Sequence, residues 1–188
     1  HHKVQGYDVN LGITSDKVFV RRSIDVAIEQ AEIVFIAVPT PHDKMYGGET
    51  PSSHLPVKDF DYRYLEDVFK MIKKNSNPEQ LIVIKSTIPP RKIAKYNRSN
   101  VVYNPEFLTE RSAAEQFVDP QFHVIGGYED KCKRLEQYYN DFSLCNPCPV
   151  HIMGLEEASF TKYAINSFLA MKITFFNQLY DVTQGFNF

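Results

Sequence analysis

A chain of 188 residues, 43% hydrophobic and 23% charged, is long and apolar enough to fold around a core, which sets aside intrinsic disorder. Its 21 Lys and Arg against 23 Asp and Glu give a net charge of -2, so no global basic field exists to hold nucleic acid or an anionic membrane, although local patches can still bind phosphate. No apolar run approaches the ~20 residues of a spanning helix, and His1 to Asn10 lacks the charged-then-apolar layout of a signal peptide, so a soluble cytoplasmic protein is the expectation.

Lys3 to Val9 has a strand pattern, and Ser23 to Gln30 reads as a short helix with Ser23 as N-cap and Val26, Ala27 and Ile28 among its apolar positions. Ile33 to Val38 follows at once. That run is apolar without alternation, as expected of a parallel strand covered on both faces. Pro39 to Asp59 holds Pro39, Pro41, Pro51, Pro56 and a Gly47-Gly48 pair, which predicts an irregular loop. Its place at the carboxyl end of a central strand is where open α/β sheets bind ligands. A helix from about Tyr62 to Lys74 carries Leu65, Val68, Phe69 and Ile72, and the apolar run Leu81 to Ile84 repeats the strand pattern.

Val101 to Tyr103, His123 to Ile125 and Val150 to Met153 are further expected strands, separated by helical stretches near Arg111 to Phe117 and Lys131 to Tyr139. Strand and helix alternate throughout, so a doubly wound, mostly parallel Rossmann-like α/β sheet is the expected fold. From Glu156 to about Tyr180 there is no Gly or Pro, and Phe160, Ala164, Phe168, Met171, Phe175 and Leu179 recur at helical spacing. A helix of ~25 residues spans ~37 Å, more than a domain of this size usually wraps, and is expected to lead out of it. Residues 1–153 then form one domain and 154–188 a connecting helix.

Cys132, Cys145 and Cys148 are too few and too odd in number for a disulfide framework. Cys145 and Cys148 make a C-x-x-C with Pro147 inside it and no second ligand pair at zinc spacing, so a turn is favoured over metal or redox use and no metal is expected. Asp8, at the end of a strand pattern, is either a turn aspartate or an acceptor for ribose hydroxyls. Thr87 has a plain reading as a strand-end hydroxyl bonded to backbone. Glu106 and Glu110 flank a helix start, where capping and the helix dipole account for them. Lys162 and Asn166 are four apart and share a helix face; a solvated lysine is the ordinary case there.

Four segments in order carry more: V-F-I-A-V-P-T-P from Val34, I-K-S-T-I-P-P from Ile84, N-P-E-F-L-T-E-R-S-A from Asn104, and T-K-Y-A-I-N-S-F-L-A-M-K-I-T-F-F-N-Q-L from Thr161. Together they resemble the UDP-glucose/GDP-mannose dehydrogenase family, over Val4 to Leu179. The resemblance implies NAD as cofactor and oxidation of the C6 alcohol of a nucleotide sugar to a carboxylate, in two hydride transfers through an aldehyde and a cysteine thioester. It implies that Asp8, Val38, Pro39, Thr40, Ser86 and Thr87 meet the cofactor, with Thr87 also near the active-site water. Glu106, Phe107 and Leu108 would lie along the sugar. Glu110 would stand near the reacting carbon as a proton relay, with a pKa raised by shielding from water. Lys162 and Asn166 would stabilise the oxyanion, and the long helix would join two copies in a homodimer. A non-catalytic descendant kept as a binding or assembly module is the alternative. A related hydroxyacid dehydrogenase is disfavoured, because it gives P-E-F-L-T-E no use.

The sequence also departs from the family. No Gly-Gly-x-Cys segment occurs, since all three cysteines precede the long helix, and no Gly-rich turn precedes Asp8. The expectation is therefore an internal piece of a longer chain, with the Gly-rich turn before Val4 and the nucleophilic cysteine after Phe188.

Overall fold

The computed structural model describes residues 24–51 and 53–186, apart from the side chain of Glu110. The strand expected at Lys3 to Val9, the cap Ser23 and the acid Asp8 lie outside the described residues. The order is α1 (Ile24–Gln30), β1 (Ile33–Ile36), α2 (Arg63–Asn75), β2 (Leu81–Ile84), α3 (Pro90–Ile93), β3 (Val101–Tyr103), α4 (Ala113–Val118), β4 (His123–Gly127), α5 (Glu129–Phe142), β5 (Val150–Met153) and α6 (Leu155–Gln184).

The strands form one five-stranded sheet in the order β1-β2-β3-β4-β5. β1, β2 and β3 are parallel, with Ile36 opposite Ile84 and Ile84 opposite Tyr103. β2 is buried along its whole length, which is why its sequence shows no alternation. Ile82 and Ile84 join Ile28, Leu65, Phe69 and Ala158 in one core layer; Leu81 and Val83 join Cys132, Leu135 and Tyr139 of α5 in the other. Helices thus cover both faces.

β3 and β4 are antiparallel, with Tyr103 opposite Gly126, and β4 and β5 are again parallel. A crossover between β3 and β4 was the expectation from alternation alone. Instead the connection 104–122, which contains α4, stays at the carboxyl rim, so β4 enters the sheet there and runs back. α5 then returns the chain to the rim for β5, and α6 climbs from the opposite end. Gly126 makes that climb possible: a Cβ there would lie 2.5 Å from Ala158 Cβ and 2.9 Å from Gly154 O, so helix and strand meet backbone to backbone.

Local chemistry fixes the ends of the elements. Asp61 accepts from Arg63 N at 3.0 Å and starts α2, whose Leu65, Phe69 and Ile72 face the core. Among its described residues the loop 37–62 is irregular apart from a single helical turn at Lys44–Tyr46. It is folded back on itself by Asp61 N to Pro41 O at 2.8 Å and by Lys58 to Asp43 at 2.5 Å. Pro90 at the first turn of α3 begins a short helix, in a stretch to which the sequence reading assigns no element. Gln80, 3% exposed, donates to Ile28 O at 2.5 Å and Ala31 O at 2.6 Å, taking up carbonyls at the end of α1. Gln80→Leu removes both bonds, leaving Ile28 O with Ala31 N alone and Ala31 O without Gln80, and is expected to cost about 2 kcal/mol in urea unfolding. A loss below about 0.5 kcal/mol contradicts this role for Gln80.

Candidate active site

At the carboxyl end of β2 the chain turns through Lys85, Ser86 and Thr87. Lys85 N and Ser86 N both donate to Ile36 O, at 2.8 and 3.3 Å, which ties this turn to the end of β1. Ser86 Oγ donates to Val38 O at 2.6 Å and Thr40 Oγ1 to Thr87 O at 2.9 Å, so the two strand-end loops are stitched side by side. Thr87's own hydroxyl makes no hydrogen bond among the described residues, unlike the backbone-bonded hydroxyl of its plain reading. Ala37 and Pro39 are exposed beside it. Val38, Pro39, Thr40, Ser86 and Thr87 thus make a rim of hydroxyls and small apolar groups without a carboxylate, which suits a flat, anionic dinucleotide.

The segment after β3 is fixed from below and from the side. Asn104 is fully buried, donates from Nδ2 to Val124 O at 2.8 Å, and receives bonds at Oδ1 from Tyr139 at 2.7 Å and Lys85 at 2.9 Å. Glu106 Oε2 accepts from Leu108 N at 2.6 Å, a local turn rather than a helix cap. Gln116 Oε1 accepts from Thr109 N and Thr109 Oγ1 pairs with Ser112 Oγ, at 2.8 Å each, and neither Thr109 nor Ser112 makes a side-chain cap. Phe107 packs on Phe122 with ring centres 5.1 Å apart. Glu110 opens the single turn Glu110–Ser112; its side chain lies outside the described set.

α6 supplies the third wall. Ser159 Oγ donates to Ile88 O at 2.5 Å, locking the helix to the turn after Thr87. Three residues on, Lys162 Nζ donates to Glu106 O, stands 3.4 Å from Glu106 Oε1 and lies 5.3 Å over the Phe107 ring. Lys162 is 6% exposed, so it is not the solvated lysine typical of a long helix. Asn166, one turn further along, is exposed.

Between these walls lies a cavity of ≈ 420 Å³, lined by Lys85, Glu106, Phe107, Leu108, Ile165 and Leu169 among others. The structure therefore brings Lys162, Glu106, Phe107 and Leu108 together. Thr87 is joined to the β1 loop through its carbonyl, and none of Thr87, Lys162 and Asn166 is itself part of the cavity wall; Lys162 meets that wall through Glu106 and Phe107. Lys85, Asn104, Tyr139 and Ser159 were missed by the sequence reading. Lys85 and Asn104 stood inside quoted motifs, and Ser159 stands three residues before Lys162, a spacing that places both on one face.

The charges here are shaped by burial. Desolvation brings the Lys85 ammonium down to about 8, opposed by Glu106. His123, stacked on the Tyr139 ring at 4.6 Å, is lowered by burial and then by Lys85. The thiol of Cys132 is raised to about 11 by burial in the α5 core, unlike an activated nucleophile. Cys145 donates to Phe117 O at 2.9 Å.

A mostly parallel sheet covered by helices, with a hydroxyl-lined rim and an adjoining cavity at its carboxyl end, defines a dinucleotide-binding α/β domain. Residues 8–143 match the NAD binding domain of the UDP-glucose/GDP-mannose dehydrogenase family, and the chain belongs to that family. It is 33% identical over 165 residues to a UDP-glucose 6-dehydrogenase of Rickettsia felis, covering 84% of this chain and 34% of that protein. Among solved structures, a UDP-glucose dehydrogenase from Pyrobaculum islandicum is 32% identical with a TM-score of 0.64, over 85% of this chain and 37% of its own. A ternary complex of GDP-mannose dehydrogenase from Pseudomonas aeruginosa is 26% identical with a TM-score of 0.66, over 81% of this chain and 36% of its own. The chain thus spans about a third of the length of the relatives it matches. NAD is the cofactor that this domain implies, and the neutral rim fits it. Among the described residues no helix is long and apolar enough to cross a membrane.

Proposed function

We propose that the whole protein oxidises the C6 alcohol of a nucleotide sugar to the carboxylate, using two NAD and one water and releasing three protons. The observation that carries this is the buried Lys162 ammonium fixed on Glu106 beside Phe107, at the edge of a cavity next to the cofactor rim. When bound, NAD accepts the hydride in each oxidation. Val38, Pro39, Thr40, Ser86 and Thr87 of this chain, with Asp8, would hold it.

Phe107 and Leu108 line the cavity and supply the apolar surface for the sugar, while Glu106 orients the segment that bears them. Lys162, already desolvated and positioned, stabilises negative charge on the C6 oxygen as a nucleophile adds to the carbonyl, and Asn166 adds a second donor from the same helix face. Thr87, whose hydroxyl makes no hydrogen bond among the described residues, orients water. Glu110 takes and returns the proton of that water. Cys132 is buried and its thiol raised, Cys145 is bonded to Phe117 O, and none of the three cysteines stands in a Gly-Gly-x-Cys segment, so this reading assigns the thioester to a cysteine elsewhere in the whole protein.

In this reading residues 1–153 form the cofactor domain and 154–188 the helix that leads to a second domain. The far half of α6 exposes Phe168, Met171, Phe175, Phe176, Leu179 and Tyr180, an apolar length suited to a second copy in a cytoplasmic homodimer. The product, a nucleotide-linked uronic acid, is a donor for acidic polysaccharide synthesis. In a hydride-transfer assay on the whole protein, NADH should appear with a nucleotide-sugar panel at two NADH per sugar. No NADH with any member, alongside a stable oligomer, would favour the non-catalytic assembly module, which the same exposed aromatics support.

A further inference from the structure

We propose that Lys85 is an oxyanion-binding point in the floor of the cavity, where a phosphate or carboxylate oxygen of the ligand is neutralised. The proposal rests on the cavity being the nucleotide-sugar site and adds a contact to it.

Lys85 lies at the carboxyl end of the fully buried β2 and reaches the cavity lining. Its two described partners are neutral: Asn104 Oδ1 at 2.9 Å and Tyr139 OH at 3.5 Å. An ammonium has three donors, so one remains without a partner among the described residues. Among the described residues no carboxylate lies within 4.0 Å of Lys85, although Lys162 has Glu106. Lys85 is half-buried, and a partly desolvated cation without a counter-ion is costly unless something else supplies the negative charge. Asn104 and Tyr139 are in turn held by Val124 O and by the His123 ring, so the ammonium is positioned before a ligand arrives.

The titratable neighbours are known. Glu106 and Cys145 favour the charged form, Lys162 and burial oppose it, and Tyr139 and His123 face it from α5 and β4. With burial the largest influence, Lys85 loses its proton near pH 8, and any affinity it gives an anion declines as pH rises through that range.

The test is calorimetric titration of the full-length protein with UDP, UDP-glucose and UDP-glucuronate, for wild type, Lys85→Met and Lys85→Arg. Expected is a loss of about 10- to 100-fold in Lys85→Met, with partial rescue by Arg. Equal loss for all three probes assigns a phosphate oxygen to Lys85. Loss confined to UDP-glucuronate assigns the carboxylate. Unchanged affinity for all three in a folded Lys85→Met protein overturns the proposal, as does failure of the wild type to bind any of them. Should Lys85→Met not fold, wild-type affinity measured from pH 6.5 to pH 9.5 decides it, with Cys145→Ser as the control for the thiol: a fall through about 8 in both proteins supports the proposal, and a flat profile overturns it. Binding of UDP without any NADH production would count against the dehydrogenase reading and leave the role of Lys85 standing.

Discussion

On the proposed reaction, in which the ammonium acts on charge that exists only in the transition state, Lys162→Met is expected to lower kcat of the whole protein by about 10²- to 10³-fold while KM changes little. The structural basis is a lysine 6% exposed, bonded to Glu106 O and resting over Phe107. A preorganised donor of this kind is worth about 3 kcal/mol of barrier in a site that excludes water. Some stability goes with it, because the variant takes the ion-pair partner from Glu106 and the donor from Glu106 O, a loss softened by the 38% exposure of the Glu106 side chain. Thermal unfolding of the variant therefore separates loss of chemistry from loss of structure. Lys162→Arg should recover little, since a planar fork does not reproduce a compact ammonium. A kcat within about threefold of wild type would mean that Lys162 merely anchors the loop at Glu106, at odds with its assignment to the oxyanion.

Gly126→Ala carries the second large effect, on stability. The added Cβ would sit 2.5 Å from Ala158 Cβ, 2.9 Å from Gly154 O and 3.1 Å from Leu155 Cα. The obstacles are mainly backbone, so the start of α6 has to move away from β4. A cost of about 3 kcal/mol follows for this overpacking, or a fall in Tm of roughly 6–12 °C. Ala158→Gly in the same chain removes one obstacle and leaves Gly154 O, so the double variant should recover only part of the loss. α6 also carries Ser159 and Lys162 a turn further on, hence activity should fall with stability. A Tm unchanged to within a degree or two would contradict the close approach of helix and strand.

Much of this arrangement was legible in the sequence because it is local. The non-alternating run Leu81 to Ile84 announced a strand buried on both sides, and Leu65, Phe69 and Ile72 announced the buried face of α2. Strand direction was not legible. β3 pairs through Val101 to Tyr103 alone, and nothing in three residues tells whether the following connection crosses the sheet or stays at its rim. The same limit applied to the site. The ordered motifs named Lys162 and Glu106, whose contact the structure supplies at 56 residues' separation. Lys85 escaped notice because its surroundings come from Asn104 and from Tyr139 on α5, the latter 54 residues away, and partner choice across a sheet leaves no periodic trace. Gly126 was equally silent, since a glycine that admits a helix resembles any glycine at a strand end.

The central claim is that Lys162 and the Glu106–Leu108 segment surround the reacting end of a nucleotide sugar beside the NAD rim. A crystal structure of the full-length protein with NAD and a nucleotide sugar tests this most directly. The account predicts the sugar in the cavity with its C6 oxygen within about 3 Å of Lys162 Nζ, and the nicotinamide against Thr87. A sugar bound elsewhere, with Lys162 still closed on Glu106 and the cavity empty, would contradict it.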